Sequence, residues 1–291
     1  MKISVIIPAY NVEKFIAKAI ASASELSEVG EIIIVDDGSS DKTLEISRGF
    51  QLKNEKVRVF EQPGGKNRGV SAARNEGIKN SKFNYIAFLD ADDFYLPNRF
   101  DQERKIFRTM REVHGVYGAI GTSYITDKGK KKFQEAKFKE ITSVSDSVNA
   151  NELLYVLLGA SKLARGHIHL NGLTVRREVF DMVGLFDTEL RLSQDTDLLL
   201  RLAVKCRLVP GSIKQPVAVR GIHDSNRVTN SKNLDKNRML LWKKVYQWGV
   251  SNGMPEDAIE LCRKKMLMWK THHERFIPSI VFLVRMKKES P

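Results

Sequence analysis

The chain of 291 residues has only two cysteines, Cys206 and Cys262, which excludes a disulfide scaffold and a four-cysteine zinc site. It also lacks a long apolar run. The longest, Phe276 to Val284, spans nine residues and contains Pro278, whereas a membrane-spanning helix needs about 20. Its start has no basic region followed by an apolar stretch and a small-residue cleavage site, so no secretory signal is expected and a cytoplasmic location fits. There is no Gly-x-x-x-x-Gly-Lys-Ser/Thr, no Gly-x-Gly-x-x-Gly and no Gly-x-Ser-x-Gly. P-loop hydrolysis, dinucleotide-dependent oxidoreduction and the nucleophile elbow therefore lack their signatures.

Acidic charge is scarce as well: 35 acidic against 48 basic side chains leave a net +13. The imbalance is local. Residues 1–112 hold 18 basic and 17 acidic groups, residues 113–232 hold 18 and 12, and residues 233–291 hold 12 and 6, so nearly all of the excess follows residue 112. The second half is expected to meet something anionic, such as nucleic acid, a phosphate-bearing substrate or a membrane surface. Charge alone favours nucleic acid, and no nucleic-acid motif supports it.

What is present is alternation. Ile3 to Ile7, Ile32 to Val35, Val57 to Phe60 and Tyr85 to Leu89 read as buried strands. Val12 to Ala23, a segment starting near Asp41, Ser71 to Lys79 and Leu96 to Arg111 read as the intervening helices, the first capped by Asn11. The spacing predicts an α/β fold with a mostly parallel sheet flanked by helices. After residue 112 the expected strands are Val116 to Ile125, Lys131 to Phe138, Gly172 to Arg176 and Val217 to Ile222. Asn151 to Leu158 and Asp195 to Val204 are expected helices, and two basic amphipathic helices are expected over Leu240 to Lys270.

In such sheets ligands bind beyond the carboxyl ends of the strands, and the polar clusters fall there: Pro8-Ala9-Tyr10-Asn11, Asp36-Asp37-Gly38 and Asp90-Ala91-Asp92-Asp93. Three carboxylates in four positions repel one another unless a cation compensates. A divalent ion bridging to a diphosphate does so; helix capping before Leu96 is the plainer alternative. His167-Ile168-His169 has no carboxylate adjacent in sequence, so a strand-borne pair is expected there rather than metal ligands.

Four blocks occur in a telling order: Ser4 to Asn11, Val35 to Thr43, Gly69 to Ile78, and Phe88 to Asp93. This order and spacing resemble the family 2 glycosyltransferases of GT-A fold. The resemblance covers roughly residues 1–225 and implies a nucleotide-sugar-dependent, metal-dependent, inverting transferase, with a UDP-sugar as the expected donor and Mn²⁺ or Mg²⁺ as the expected ion. It implies that Pro8, Ala9, Tyr10 and Asn11 with an aspartate of Asp36-Asp37 hold the base, and that Asn67 and Arg74 add nucleotide contacts. Asp90-Ala91-Asp92 matches the DxD motif, Asp90 facing ribose and sugar and Asp92 binding the metal. His223 resembles a late family histidine near the metal, with Arg227 placed to pair with phosphate. The block Phe186 to Leu202 is similar to the acceptor-site segment, in which Asp195 is the implied base; Gln194 stands where the family has glutamate.

Three regions are thereby expected: 1–112 as the nucleotide-sugar-binding half, 113–232 as the acceptor-binding and catalytic half, and 233–291 as a basic helical extension. The tail carries Trp242, Trp248 and Trp269 and ends near Arg285, Lys287 and Lys288. Such a tail lies on an anionic membrane, here the inner face of the plasma membrane, or packs on its own catalytic half or on a second copy in a homodimer. The expected acceptor is a glycan or lipid-linked glycan. The rival reading is a nucleotide-sugar-binding scaffold that has lost turnover through Gln194.

Overall fold

The computed structural model describes residues 1–136, 139–224 and 234–275. The strands are β1 (Ile3–Ala9), β2 (Val29–Asp36), β3 (Val57–Glu61), β4 (Tyr85–Phe88), β5 (Phe94–Tyr95), β6 (Gly115–Tyr117), β7 (Ala119–Tyr124), β8 (Leu173–Arg176), β9 (Leu208–Pro210) and β10 (Pro216–Ile222). The helices are α1 (Ile16–Ser24), α2 (Thr43–Lys53), α3 (Val70–Lys79), α4 (Asp101–Thr109), α5 (Asp127–Glu135), α6 (Ala150–Leu157), α7 (Val179–Val183), α8 (Gln194–Lys205), α9 (Leu234–Ser251) and α10 (Glu256–Arg275).

Seven strands form one sheet in the order β3-β2-β1-β4-β8-β6-β9. β3, β2, β1 and β4 run parallel, β8 is antiparallel to both neighbours, and β6 and β9 are parallel to each other. A smaller sheet, β5-β10-β7, stands beside it. This is the expected α/β architecture, a mostly parallel sheet flanked by helices.

Alternation along β1 builds both faces of the core. Ile3, Val5 and Ile7 join Ile16, Ala19, Ile20 and Ala23 of α1 on one side. Ile6 joins Ile78, Phe88 and the residues of β8 and α8 on the other. A Cβ on Gly77 would sit 2.4 Å from Ile6 Cγ2, so α3 approaches β1 at a distance only glycine permits. Burying β-branched side chains on both faces is what makes these strands read as continuous apolar runs.

The second half departs from expectation in two places. Of the strand expected over Lys131 to Phe138, the residues through Glu135 lie instead in helix α5, which the Thr126 hydroxyl caps by accepting the Gly129 amide at 3.1 Å; Lys137 and Phe138 lie outside the described residues. The strand expected from Val116 breaks into β6 and β7 at Gly118, whose amide donates to the Gly172 carbonyl at 2.8 Å. The expected helix from Leu96 starts only at Asp101, after Pro97.

Helices α9 and α10 form a hairpin that packs on α6 and α8, with Leu241, Trp242, Val245 and Cys262 against Leu154, Leu158 and Leu200. Trp242 is thus buried, and the Arg238 guanidinium lies 4.5 Å from the Trp269 ring. Among the described residues, no helix is long and apolar enough to cross a membrane. The apolar run from Phe276 and its basic end lie outside the described residues, as does Arg227.

Candidate functional site

The loops that follow β1 and β2 are stitched together. Asn11 takes the left-handed conformation, φ 51°. Its Oδ1 accepts the Ser40 amide at 2.8 Å and its own amide donates to Ser39 Oγ at 3.0 Å. Asn11 is therefore not the expected cap of α1, which begins five residues on with no side-chain cap. Asp41 accepts the Thr43 amide through Oδ1 and the Glu13 amide through Oδ2, both at 3.0 Å, so it serves the start of α2 and also the β1 loop. Pro8 and Ala9 are buried; the Ala9 carbonyl accepts the Asp37 amide at 2.8 Å, so the two residues shape the site through backbone.

The aspartate pair divides its work. Asp36 Oδ2 accepts the Gly38 and Ser39 amides at 3.2 and 3.0 Å, closing the turn. Asp37 accepts the Arg68 amide at 2.7 Å and the Gly69 amide at 2.9 Å, one on each carboxylate oxygen. Gly38 has φ 77°, and a Cβ there would meet the Gly65 carbonyl oxygen at 2.7 Å, so this crossing of loops requires glycine. The result is a cleft of about 170 Å³. Tyr10, Asp37, Asn67, Arg68, Gly69 and Ser71 line one wall; Thr188, Leu190, Arg191 and Gln194 line the other. Ser71 Oγ and Asp36 Oδ1 are buried without a hydrogen-bond partner among the described residues. Buried polar atoms are rarely left so, and a polar ligand is one way to satisfy them.

Helix α3 joins this cleft to the acidic cluster. Three residues beyond Ser71, on the same helix face, Arg74 is buried and donates to Asp90 Oδ1 at 2.7 Å. Arg74 does not line the cleft; it acts on Asp90. The Asp90 amide donates to Asn171 Oδ1 at 3.0 Å, and Ala91 is buried in the core. Asp92 Oδ2 lies 3.1 Å from His223 Nε2, and the His223 ring stacks on Phe15 at 4.7 Å. Asp93 is fully enclosed: Oδ1 accepts the Gly221 amide at 2.8 Å and Oδ2 accepts the Asn171 side-chain amide at 2.5 Å. Burial, with Asp92 and Asp90 nearby, raises the Asp93 pKa well above the usual carboxylate range. Burial lowers that of Arg220, whose charge the three aspartates favour.

His169 joins the centre from the start of the 3-10 turn Leu170–Gly172, not from a strand. Its ring, Asp90 and Asp93 each offer a ligand atom within 4.8 Å of the others. The carboxylates missing beside His169 in sequence are thus supplied from 76 and more residues upstream. Burial lowers the His169 pKa, while Asp90 and Asp195 oppose this from electrostatic range.

Two donor sets present themselves for a divalent ion. Two ligands about 2.1 Å from an octahedral ion stand about 3.0 Å apart at right angles, which Asp92 Oδ2 and His223 Nε2 match. The set with Asp93 fits less well, because both Asp93 oxygens already accept hydrogen bonds, from the Gly221 amide and the Asn171 side chain.

Asp195 lies in the first turn of α8, not at its cap. Ser193 holds the cap position in the left-handed conformation, φ 62°, and Asp195 Oδ1 accepts the Thr196 amide at 2.8 Å. A left-handed serine is uncommon and marks a backbone held in place by its surroundings. Gln194 is buried and donates from Nε2 to the Arg191 carbonyl at 3.0 Å, so it braces the loop. Asn75 binds the same segment to α3: its side-chain amide donates to the Phe186 carbonyl and its Oδ1 accepts the Phe186 amide, both at 2.9 Å.

The sequence profile of Glycosyl transferase family 2 matches residues 4–155, more than half of the chain. The chain belongs to this family. An uncharacterized glycosyltransferase of Rickettsia felis is 29% identical over 245 residues, covering 82% of this chain but 37% of the relative, so the chain spans well under two thirds of that protein. Among solved structures, S. aureus TarS 1-349 in complex with UDP-GlcNAc superposes with TM-score 0.68 at 17% identity, covering 95% of this chain and 73% of that one. The mannosyltransferase PcManGT from Pyrobaculum calidifontis, in complex with GDP-Man and Mn²⁺, superposes with TM-score 0.58 at 13% identity, covering 99% and 79%. At these identities the superpositions establish the GT-A fold.

Asp90, Asp92, Asp93 and His223 were legible from the sequence as members of one site, whereas Asn171 and Arg220, which surround the aspartates, were not. Asn171 had no local signal, being one polar residue between apolar neighbours.

Proposed function

We propose that the chain is an inverting glycosyltransferase that moves a sugar from a nucleotide-sugar, a UDP-sugar, to an acceptor hydroxyl during assembly of a cell-surface polysaccharide or glycolipid. The observation that supports this reading is that one helix serves both places: Ser71 of α3 lines the Tyr10–Asp37–Arg68 cleft, and Arg74, one turn on, holds Asp90 of the cluster that also contains Asp92 and His223.

In this reading Tyr10, Asp37, Asn67 and the backbone of Pro8 to Asn11 hold the base, with Asp36 fixing the turn beneath them. Asp90, oriented by Arg74 and Asn171, faces the ribose and sugar. Asp92 and His223 would hold Mn²⁺ or Mg²⁺, and a bound divalent ion supplies Lewis-acid stabilisation of the departing diphosphate. Asp195 takes the proton of the acceptor hydroxyl as its oxygen attacks the anomeric carbon; Oδ1 is engaged by Thr196, and Oδ2 is the oxygen assigned to receive it. A single displacement from the face opposite the nucleotide inverts the anomeric centre. The acceptor, a glycan or lipid-linked glycan, approaches from the basic half of the chain, at a peripheral membrane location.

Asp195→Asn tests the assignment. Transfer should fall by at least about 10³-fold while UDP affinity stays within about twofold; retained turnover removes Asp195 from the role. Donor binding by the wild type without turnover on any acceptor would favour the scaffold reading.

A further inference from the structure

The α9–α10 hairpin reaches the cleft through one segment. Lys244 of α9 places Nζ 2.8 Å from Asp187 Oδ2 and 2.5 Å from Glu189 Oε2. Asp187 Oδ1 accepts the Glu189 amide at 2.8 Å, so the turn that presents both carboxylates is itself closed. The next residue, Leu190, is 2% exposed and packs with Leu241, Trp242 and Val245 of α9. The outer side of the segment is thus pinned by an ion pair and an apolar plug that both come from α9.

Its inner side is the cleft wall. Thr188, Leu190 and Arg191 line the cleft, and Arg191 lies directly over Gly69: a Cβ built there would be 3.2 Å from Arg191 Nη1. Gly69 is the residue whose amide Asp37 accepts. A cationic side chain that reaches the Asp37 loop from across the cleft therefore belongs to the segment that Lys244 holds.

We infer that Lys244 is a positioning residue for the donor nucleotide: it holds residues 187–191 so that Arg191 closes the cleft over the Arg68-Gly69 wall. This rests on the reading of the cleft as a nucleotide site. Lys244 touches no cleft atom and acts through Asp187, Glu189 and Leu190. The pair with Asp187 carries most of the effect, because the Asp187 side chain is 26% exposed and that of Glu189 is 74% exposed, and exposed pairs contribute little.

The experiment is a calorimetric titration of the full chain with UDP and Mn²⁺, on wild type, Lys244→Met, Lys244→Arg, Arg191→Ala and the Lys244→Met/Arg191→Ala double variant. Methionine keeps the apolar stem and removes the charge. Lys244→Met should weaken UDP by about 5- to 20-fold, Lys244→Arg should restore most of it, and the double variant should bind no more weakly than Arg191→Ala alone, the coupling expected of two residues on one path. In a donor assay the loss should appear as a raised KM with kcat nearly unchanged, whereas general destabilisation would lower the apparent kcat and leave KM unchanged. Unchanged UDP affinity in Lys244→Met, or additive losses in the double variant, overturns the inference and leaves the nucleotide reading standing. A wild type that does not bind UDP overturns the nucleotide reading itself. Amide exchange of residues 187–191 then reads the clamp separately: faster exchange in Lys244→Met supports it, and equal exchange refutes it. If Lys244→Met does not fold, Asp187→Asn removes the same pair from the loop side, and equal UDP affinity there is equally fatal.

Discussion

Asp37→Asn is the substitution whose outcome follows most directly from the geometry. Each carboxylate oxygen accepts one backbone amide, from Arg68 at 2.7 Å and Gly69 at 2.9 Å, and the residue is 3% exposed. An asparagine of the same shape keeps one carbonyl oxygen and turns its NH₂ toward the other amide, setting donor against donor. A hydrogen bond to a charged group contributes about 1.5–3 kcal/mol, and an orphaned buried donor costs a similar amount. The 66–69 loop should therefore lose about 2–3 kcal/mol of local order. Converted at 1.4 kcal/mol per decade, that is about 30- to 150-fold. Hydrogen exchange at the Arg68 and Gly69 amides should accelerate by about that factor, and UDP affinity should fall with it, because the loop forms one wall of the cleft. Native exchange by mass spectrometry and calorimetry with UDP read the two effects. Exchange within threefold of wild type would refute the reasoning, since it would mean that the two contacts do not order the loop.

Asn75→Ala should destabilise the fold by about 2–5 kcal/mol, because it leaves the Phe186 amide and carbonyl buried and unpaired; urea denaturation checks this, and a loss under 1 kcal/mol would contradict it. Glu31 supplies the pH dependence. Burial alone would raise its pKa, but hydrogen bonds from the Ser4 hydroxyl, the Lys82 amide and Arg58 prevail and lower it below the usual 4.5. Its folded pKa lies below its unfolded one, so its stabilisation is complete above about pH 5 and is lost as pH falls through the folded value. Glu31→Gln should flatten the acid limb of a stability profile below pH 4.5, and an unchanged limb would exclude Glu31 from it.

Much of the first half was legible because local signals and tertiary needs coincide there. Ile3 to Ile7 and Ile32 to Val35 are β-branched runs, and each ends on residues that the fold places at the site. Asp90 and Asp92 were legible because both follow a strand end directly. The second half was less so because its meaning is assembled at long range. Thr126 caps α5 through one hydroxyl, which a lysine-rich stretch after a turn does not advertise. His169 acquires carboxylate neighbours only when the turn Leu170–Gly172 comes to lie beside the end of β4. Gln194, a departure from the family pattern by sequence, braces the Arg191 carbonyl and so has a structural occupation of its own. The basic tail, read as amphipathic helices that lie on a membrane or pack on the catalytic half or a second copy, buries Trp242 and Val245 against α6 and α8, a choice its composition alone does not make.

The central claim is that one cleft holds a nucleotide between Tyr10 and the Asp37–Gly69 loop, with its diphosphate end at Asp92 and His223. A crystal structure of the chain with UDP and Mn²⁺, recorded at the manganese absorption edge, tests it most directly. The account predicts an anomalous peak bonded to Asp92 Oδ2 and His223 Nε2, with the uracil against Tyr10 and Asp37. A peak held by Asp90, Asp93 and His169, or a nucleotide bound away from the Arg68-Gly69 wall, would contradict it.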